Sequence, residues 1–119
     1  MTTQEIANRL VELCRAGDFK KAQQELFSND AVSIEAHATP AFEKETKGLK
    51  AIIEKGEKWN SMVQDVHGLS LSEPLVAGNS IALVLSMGVT MKEHGHVDMK
   101  ELCVYEVKDG KIISEEFHM

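Results

Sequence analysis

From Val66 to Met119, apolar and polar residues alternate in steps of two, and Gly78-Asn79, Glu93-His94-Gly95 and Lys108-Asp109-Gly110 separate the runs. Period two puts successive side chains on opposite faces of a pleated strand, and glycine beside asparagine or aspartate supplies the positive φ of a tight hairpin. This half of the chain is therefore expected to form strands at Val66–Ala77, Ser80–Lys92, His96–Lys108 and Lys111–Met119, joined as an antiparallel meander. The first half reads as helices. Thr2 and Glu5 have the spacing of a capping box, and Ile6, Leu10 and Leu13 follow as one helical stripe. Gly17 suits the end of that helix, and Asp18 the cap of a second that buries Phe19, Ala22 and Leu26. Ser28-Asn29-Asp30 reads as a break before a short strand at 31–36, and 37–47 as a loop around Pro40. Leu49, Ile52, Ile53, Trp59 and Val63 mark a third helix, in which Gly56 costs about 1 kcal/mol against alanine and so suggests close packing. Three helices followed by a meander imply an α+β fold, with the helices packed on one face of a curved antiparallel sheet.

Length and charge narrow the function classes. The 119 residues suit one domain spanning 1–119, and 13 basic against 19 acidic residues leave a net charge of −6 with no basic block. Nucleic acid and anionic membranes, which need a positive footprint, are excluded as partners. No apolar run approaches the ~20 residues of a membrane span. Met1–Glu5 lacks the regions of a secretion signal, and Cys14 and Cys103 form no C-x-x-C or zinc spacing. The expectation is a cytoplasmic protein with reduced thiols. His94-Gly95-His96 brings two imidazoles to a turn without a third ligand, so an exposed hairpin is the simpler reading and no metal is expected.

Strand parity singles out two residues. On the second meander strand the odd positions Ile81, Leu83, Leu85, Met87, Val89 and Met91 form the core face. On the third, the odd positions are apolar except Glu101, and on the fourth Ile113, Phe117 and Met119 share their face with Glu115. Three-residue loops ending in Gly95 and Gly110 join these faces, pairing Met91 with Val97, Leu85 with Cys103 and Val107 with Lys111. That register sets Glu115 opposite Cys103 and diagonal to Glu101, roughly 7–8 Å away. Two carboxyls on a wall of Leu85, Met87, Met99, Cys103, Tyr105 and Phe117 raise one another's pKa and suit acid–base chemistry. Alternatively the wall opens there, and both are solvated or meet a lysine. His67 shares parity with Leu69 and Leu71 and can face the same cavity. Trp59 serves as core or as a ligand platform. Cys103 reads as an apolar wall residue, and the lysines at 44, 47, 50, 55 and 58 as a solvated face.

Gly17-Asp18-Phe19, the passage Leu26–Val32, Gly48–Ile52 and Val107–Ile112 resemble the SnoaL-like branch of the nuclear-transport-factor-2-like superfamily, which includes ketosteroid isomerases and polyketide cyclases. The resemblance covers nearly the whole chain. It implies a cone-shaped sheet around the helices, an internal pocket, no cofactor, and commonly a homodimer through the outer sheet face. By motif, Glu35 matches the base carboxylate that ends the first strand in the isomerases, although alternation with Val32 and Ile34 leaves it turning late or pointing outward. The isomerases' later cavity acid falls on Cys103, two residues from Glu101, and their first-helix tyrosine has no counterpart, which argues against steroid isomerisation. The implied function is isomerase, cyclase or hydratase chemistry on a small apolar, carbonyl-bearing molecule, with Glu101, Glu115 and Glu35 as catalytic candidates. Tyr105, His67, Trp59, Leu85, Met87, Met99, Cys103 and Phe117 would bind the ligand. A non-catalytic binder and a dimerising association module are the alternatives.

Overall fold

A computed structural model describes residues 1–119. Helix α1 (Thr3–Arg15) starts at the expected capping box: Glu5 N–H donates to the Thr2 hydroxyl (3.1 Å) and Thr2 N–H to the Glu5 carboxylate (2.8 Å). Gly17, at φ 79°, ends the turn after it. Helix α2 (Phe19–Leu26) follows without a capping bond from the Asp18 side chain, and runs straight into strand β1 (Phe27–Ile34) with no break at 28–30. The expected loop contains a short strand, β2 (Glu45–Lys47), paired with β1. Helix α3 (Leu49–Met62) carries Gly56 at a point where a side chain would meet nothing within 4 Å, so close packing does not account for that glycine. No helix is long and apolar enough to cross a membrane.

The remaining strands are β3 (Val63–Leu71), β4 (Leu75–Ala77), β5 (Ser80–Met91), β6 (Gly95–Lys108) and β7 (Lys111–His118). The seven strands form one sheet in the order β2-β1-β7-β6-β5-β3, with β4 also beside β5. Architecture is α+β as expected, except that β1 and β7 run parallel. The strand expected at 66–77 is broken at Ser72-Glu73-Pro74, where proline has no N–H for the ladder. Ser72 holds the line across the break, its N–H donating to the Val84 carbonyl (2.9 Å) and its hydroxyl accepting from Val84 N–H (2.8 Å).

Both hairpin registers differ from the expected ones. Met91 pairs with Gly95, so the first loop is Lys92-Glu93-His94; Met87 then faces Met99, and Leu85 faces Glu101. Odd residues still meet odd residues. At the second hairpin Lys108 pairs with Lys111 across a two-residue turn whose Asp109 and Gly110 both have positive φ, 52° and 77°. The right-handed strand twist favours this primed turn over the three-residue loop. By itself the turn would set odd against even. A bulge at Ile113 corrects the phase, so that Tyr105 faces Glu115 and Cys103 faces Phe117. Ile112, rather than Ile113, is the fully buried isoleucine.

The core is Ile6, Leu10, Leu26, Ile52, Ile81 and Ile112 with their neighbours, between the helices and the concave face of the sheet. Ile112→Ala is expected to destabilise by about 2–5 kcal/mol in urea unfolding, and Ile113→Ala by clearly less. The reverse order would contradict the two-residue turn, which sets Ile112 opposite Val107.

Candidate functional site

The inner face of the sheet is not evenly covered. Along β5, Ile81 and Leu83 are buried, Leu85 and Met87 are partly exposed, and Val89 and Met91 are buried again. Leu69 of β3, Met99 and Glu101 of β6, and Phe117 of β7 share this partial exposure. An apolar belt is therefore left uncovered between two packed regions of one concave face. Cys103 and Tyr105, next along β6, are buried.

Four charged side chains converge beside the belt. In β1 the inward positions are Ala31 and Ser33, both 0% exposed, whereas Val32 and Ile34 are only half-buried. Glu35 continues the inward series, so the expected outward or late-turning orientation is corrected. The parallel pairing of β1 with β7 sets Ser33 beside Glu115. Lys55 comes from α3, one turn after the buried Ile52 and one turn before the half-buried Trp59. Its ammonium donates to Ser33 Oγ (2.6 Å) and Glu35 Oε1 (3.1 Å), and its side chain is 16% exposed. It also lies 5.9 Å from the centre of the Phe117 ring. The reading of Lys55 as part of a solvated face is thus corrected.

Burial pushes the Glu115 carboxyl up to about 7; repulsion from Glu35 and Glu101 adds to this, while Lys55 and the Ser33 hydroxyl oppose it. Glu101 is raised by burial and by Glu35, against Lys55. Burial pushes the Cys14 and Cys103 thiols up to about 12, so both are uncharged at neutral pH. This suits the wall role expected of Cys103 and not that of a nucleophile. Tyr105, buried beside Cys103 and Glu115, is held well above the ordinary phenol range and can act only as a hydroxyl. The arrangement can both donate and accept a proton near neutrality, next to a fixed ammonium.

Glu35, Glu101, Glu115, Tyr105, Cys103 and Phe117 are brought together, with Leu85, Met87 and Met99 on the adjoining belt and Trp59 one helical turn beyond Lys55. Glu115 lies opposite Tyr105 rather than Cys103, which moves it further along the sheet from Glu101 than expected. His67 is not part of the group. A bulge between Val66 and Gly68 turns it to the outer face, where Nε2 lies 2.5 Å from Thr90 Oγ1 and the ring stacks on His96 at 5.6 Å. No three His, Cys, Asp or Glu side chains are grouped to hold a metal. Two open surface depressions, one at Asn29, Leu49 and Glu57 and one between Arg15 and Pro74, are not lined by Glu35, Glu101 or Glu115. Ser33 and Lys55 do not stand out from the sequence alone. The available signals were a lysine in register with Ile52 and Trp59, and a polar residue alternating with Ala31 and Glu35.

A curved sheet wrapped over three helices is the cystatin-like, nuclear-transport-factor-2-like architecture. A cystatin-like protein of unknown function from Xanthomonas campestris superposes with a TM-score of 0.82 at 16% identity, over 98% of this chain and 89% of that one. A ketosteroid-isomerase-like fold from Catenulispora acidiphila, solved with trimethylamine, gives 0.74 at 16% identity over 99% and 87%. The SnoaL-like domain profile matches residues 1–119, and the chain belongs to that family. A SnoaL-like protein from Mesorhizobium loti, named as a candidate polyketide cyclase and, in brackets, a carbohydrate phosphatase, gives 0.92 at 36% identity over 100% of both chains. No protein of curated function matches the chain by sequence.

The raised Glu115 carboxyl has a thermodynamic signature. The folded state holds this proton more tightly than the unfolded state, so the contribution to stability is full below about pH 4.5 and is lost as pH rises through about 7. Relative to Glu115→Gln, the native protein is expected to lose about 3 kcal/mol between pH 4.5 and 8 in denaturant titrations. A pH-independent difference would show that Glu115 titrates as an ordinary glutamate.

Proposed function

We propose that this SnoaL-like domain holds a small apolar, carbonyl-bearing molecule on the uncovered belt and moves a proton on it without a cofactor, as an isomerase, cyclase or hydratase does. The observation that carries this reading is the division among the acids. Glu35 is ion-paired to Lys55 at 3.1 Å, while Glu115 is pushed up to about 7. Carboxyls whose environments separate their protonation states fall naturally into base and acid roles. Glu35 is the base, Glu115 the acid, and Glu101 a second donor at the belt. Met87, Met99 and Leu85 give an adaptable apolar wall, and Trp59 closes the helix side.

The cyclase name of the Mesorhizobium loti protein supports the same direction. Its bracketed phosphatase name is not carried over: a phosphate ester brings two negative charges, and Lys55 is a single ammonium beside three carboxyls. The outer face, with Leu102 43% exposed beside Val84 and Val104, suits a homodimer. A cytoplasmic setting suits the two free thiols.

Deuterium exchange at the α-carbon, followed by NMR across a panel of ketones and enones, tests the chemistry. Exchange of one ketone class is expected above the solvent rate, with Glu35→Gln and Glu115→Gln each lowering it by about 10²–10⁴. Retained ligand affinity without exchange by any member would make the protein a binder. Native mass spectrometry of the fresh protein is expected to show a dimer with co-purified ligand; a clean apo dimer across the panel would favour an association module.

A further inference from the structure

Lys55 does more in this geometry than hold Glu35. An ammonium has three N–H donors. Two are used, on Ser33 and Glu35, and the ammonium lies 5.9 Å from the centre of the partly exposed Phe117 ring at the belt. Gly56, next on the same helix, fronts open space, since a side chain there would meet no atom within 4 Å. Lys55 is the only cation acting on both Glu101 and Glu115.

We propose that Lys55 receives the ligand's oxygen through its third N–H, so that the site selects carbonyl compounds able to exist there as an oxyanion, an enolate or a phenolate. This rests on reading the site as a small-molecule pocket. Charge balance is the reason. Before reaction the ammonium is neutralised by the Glu35 carboxylate. When the α C–H proton passes to a Glu35 oxygen, the C–H electron pair becomes the C=C bond and the carbonyl π pair moves onto the ligand oxygen. Glu35 is then neutral, and the new oxyanion takes its place as the counter-ion of Lys55. The buried charge is the same before and after, so no uncompensated ion forms among the acids. A ligand whose oxygen cannot carry charge gains nothing from this exchange.

The probe is p-nitrophenol, whose phenolate is yellow and whose phenol is colourless, with binding read from the fluorescence of Trp59, the only tryptophan. The bound probe is expected to be more ionised than the free probe at the same pH, by about tenfold or more. Lys55→Met should abolish that shift, and Lys55→Arg should keep most of it. Glu35→Gln, which removes the competing counter-ion, should strengthen phenolate binding by about tenfold while losing α-proton exchange, an opposite pair of effects that a merely structural role would not produce. Wild-type binding with no excess ionisation overturns the proposal and leaves the pocket standing. So does an unchanged shift in Lys55→Met, and Glu35→Gln decides the matter if that variant does not fold. Absence of any Trp59 response removes the pocket and this inference together.

Discussion

The Asp109-Gly110 turn leaves β6 and β7 one residue out of phase, and the extra residue Ile113 brings them back. Without that bulge Glu115 would pair with Val104 on the outer face, and Ser114 and Glu116 would point inward in its place. The burial of Ile112 follows from the turn itself, which pairs it with Val107, whereas the pairing of Glu115 with Tyr105 and the approach of Ser33 to Glu115 follow from the corrected phase. Side-chain period in a strand leaves no intermediate solution: a one-residue slip moves every group to the other face. The candidate chemistry of this molecule thus depends on a backbone irregularity five residues or fewer from each group it positions on β7.

On the concave face of the sheet, charge is arranged against stability. A buried ion pair roughly cancels its own desolvation, so the Glu35–Lys55 contact is poor evidence of a stabilising design. Two further carboxyls beside it have raised affinity for protons because water has been withdrawn and their neighbours repel them. An apolar interior of the same shape would hold the helices on the sheet at least as well. Groups kept in an unfavourable place by an otherwise consistent fold are what single out this wall as the candidate site.

Much of this was legible in the sequence. Alternation along Ile81–Met91 and Val97–Val107 gave the correct inner face, and with it Glu101 and Glu115 as acids on an apolar wall. The capping box at Thr2 and Glu5 and the turn at Gly17 were also marked by residue type. Three features were not. The bulges at Ile113 and near His67 shift the phase without any change in composition, so parity alone turns His67 inward whereas it lies outside. In β1 the apolar Val32 and Ile34 suggested the inner face, but both sides of that strand are partly covered, and the small Ala31 and Ser33 occupy the tighter side. Lys55 was unreadable for a related reason: a helical lysine is normally solvated, and only the inward turn of Glu35 makes its position favourable.

The pairing of β1 with β7 joins segments near opposite ends of the 119 residues, Phe27 beside Ile112 and Ser33 beside Glu115. The meander from β3 to β7 can zip up through local hairpins, whereas β1 must be closed onto β7 against the entropy of a long loop. The packing of β1 beside β7 is part of what withdraws Glu115 from water. Around pH 6, folding therefore draws a proton from the medium onto Glu115. Closing the distant β1–β7 contact and neutralising a carboxyl in the interior are thereby linked.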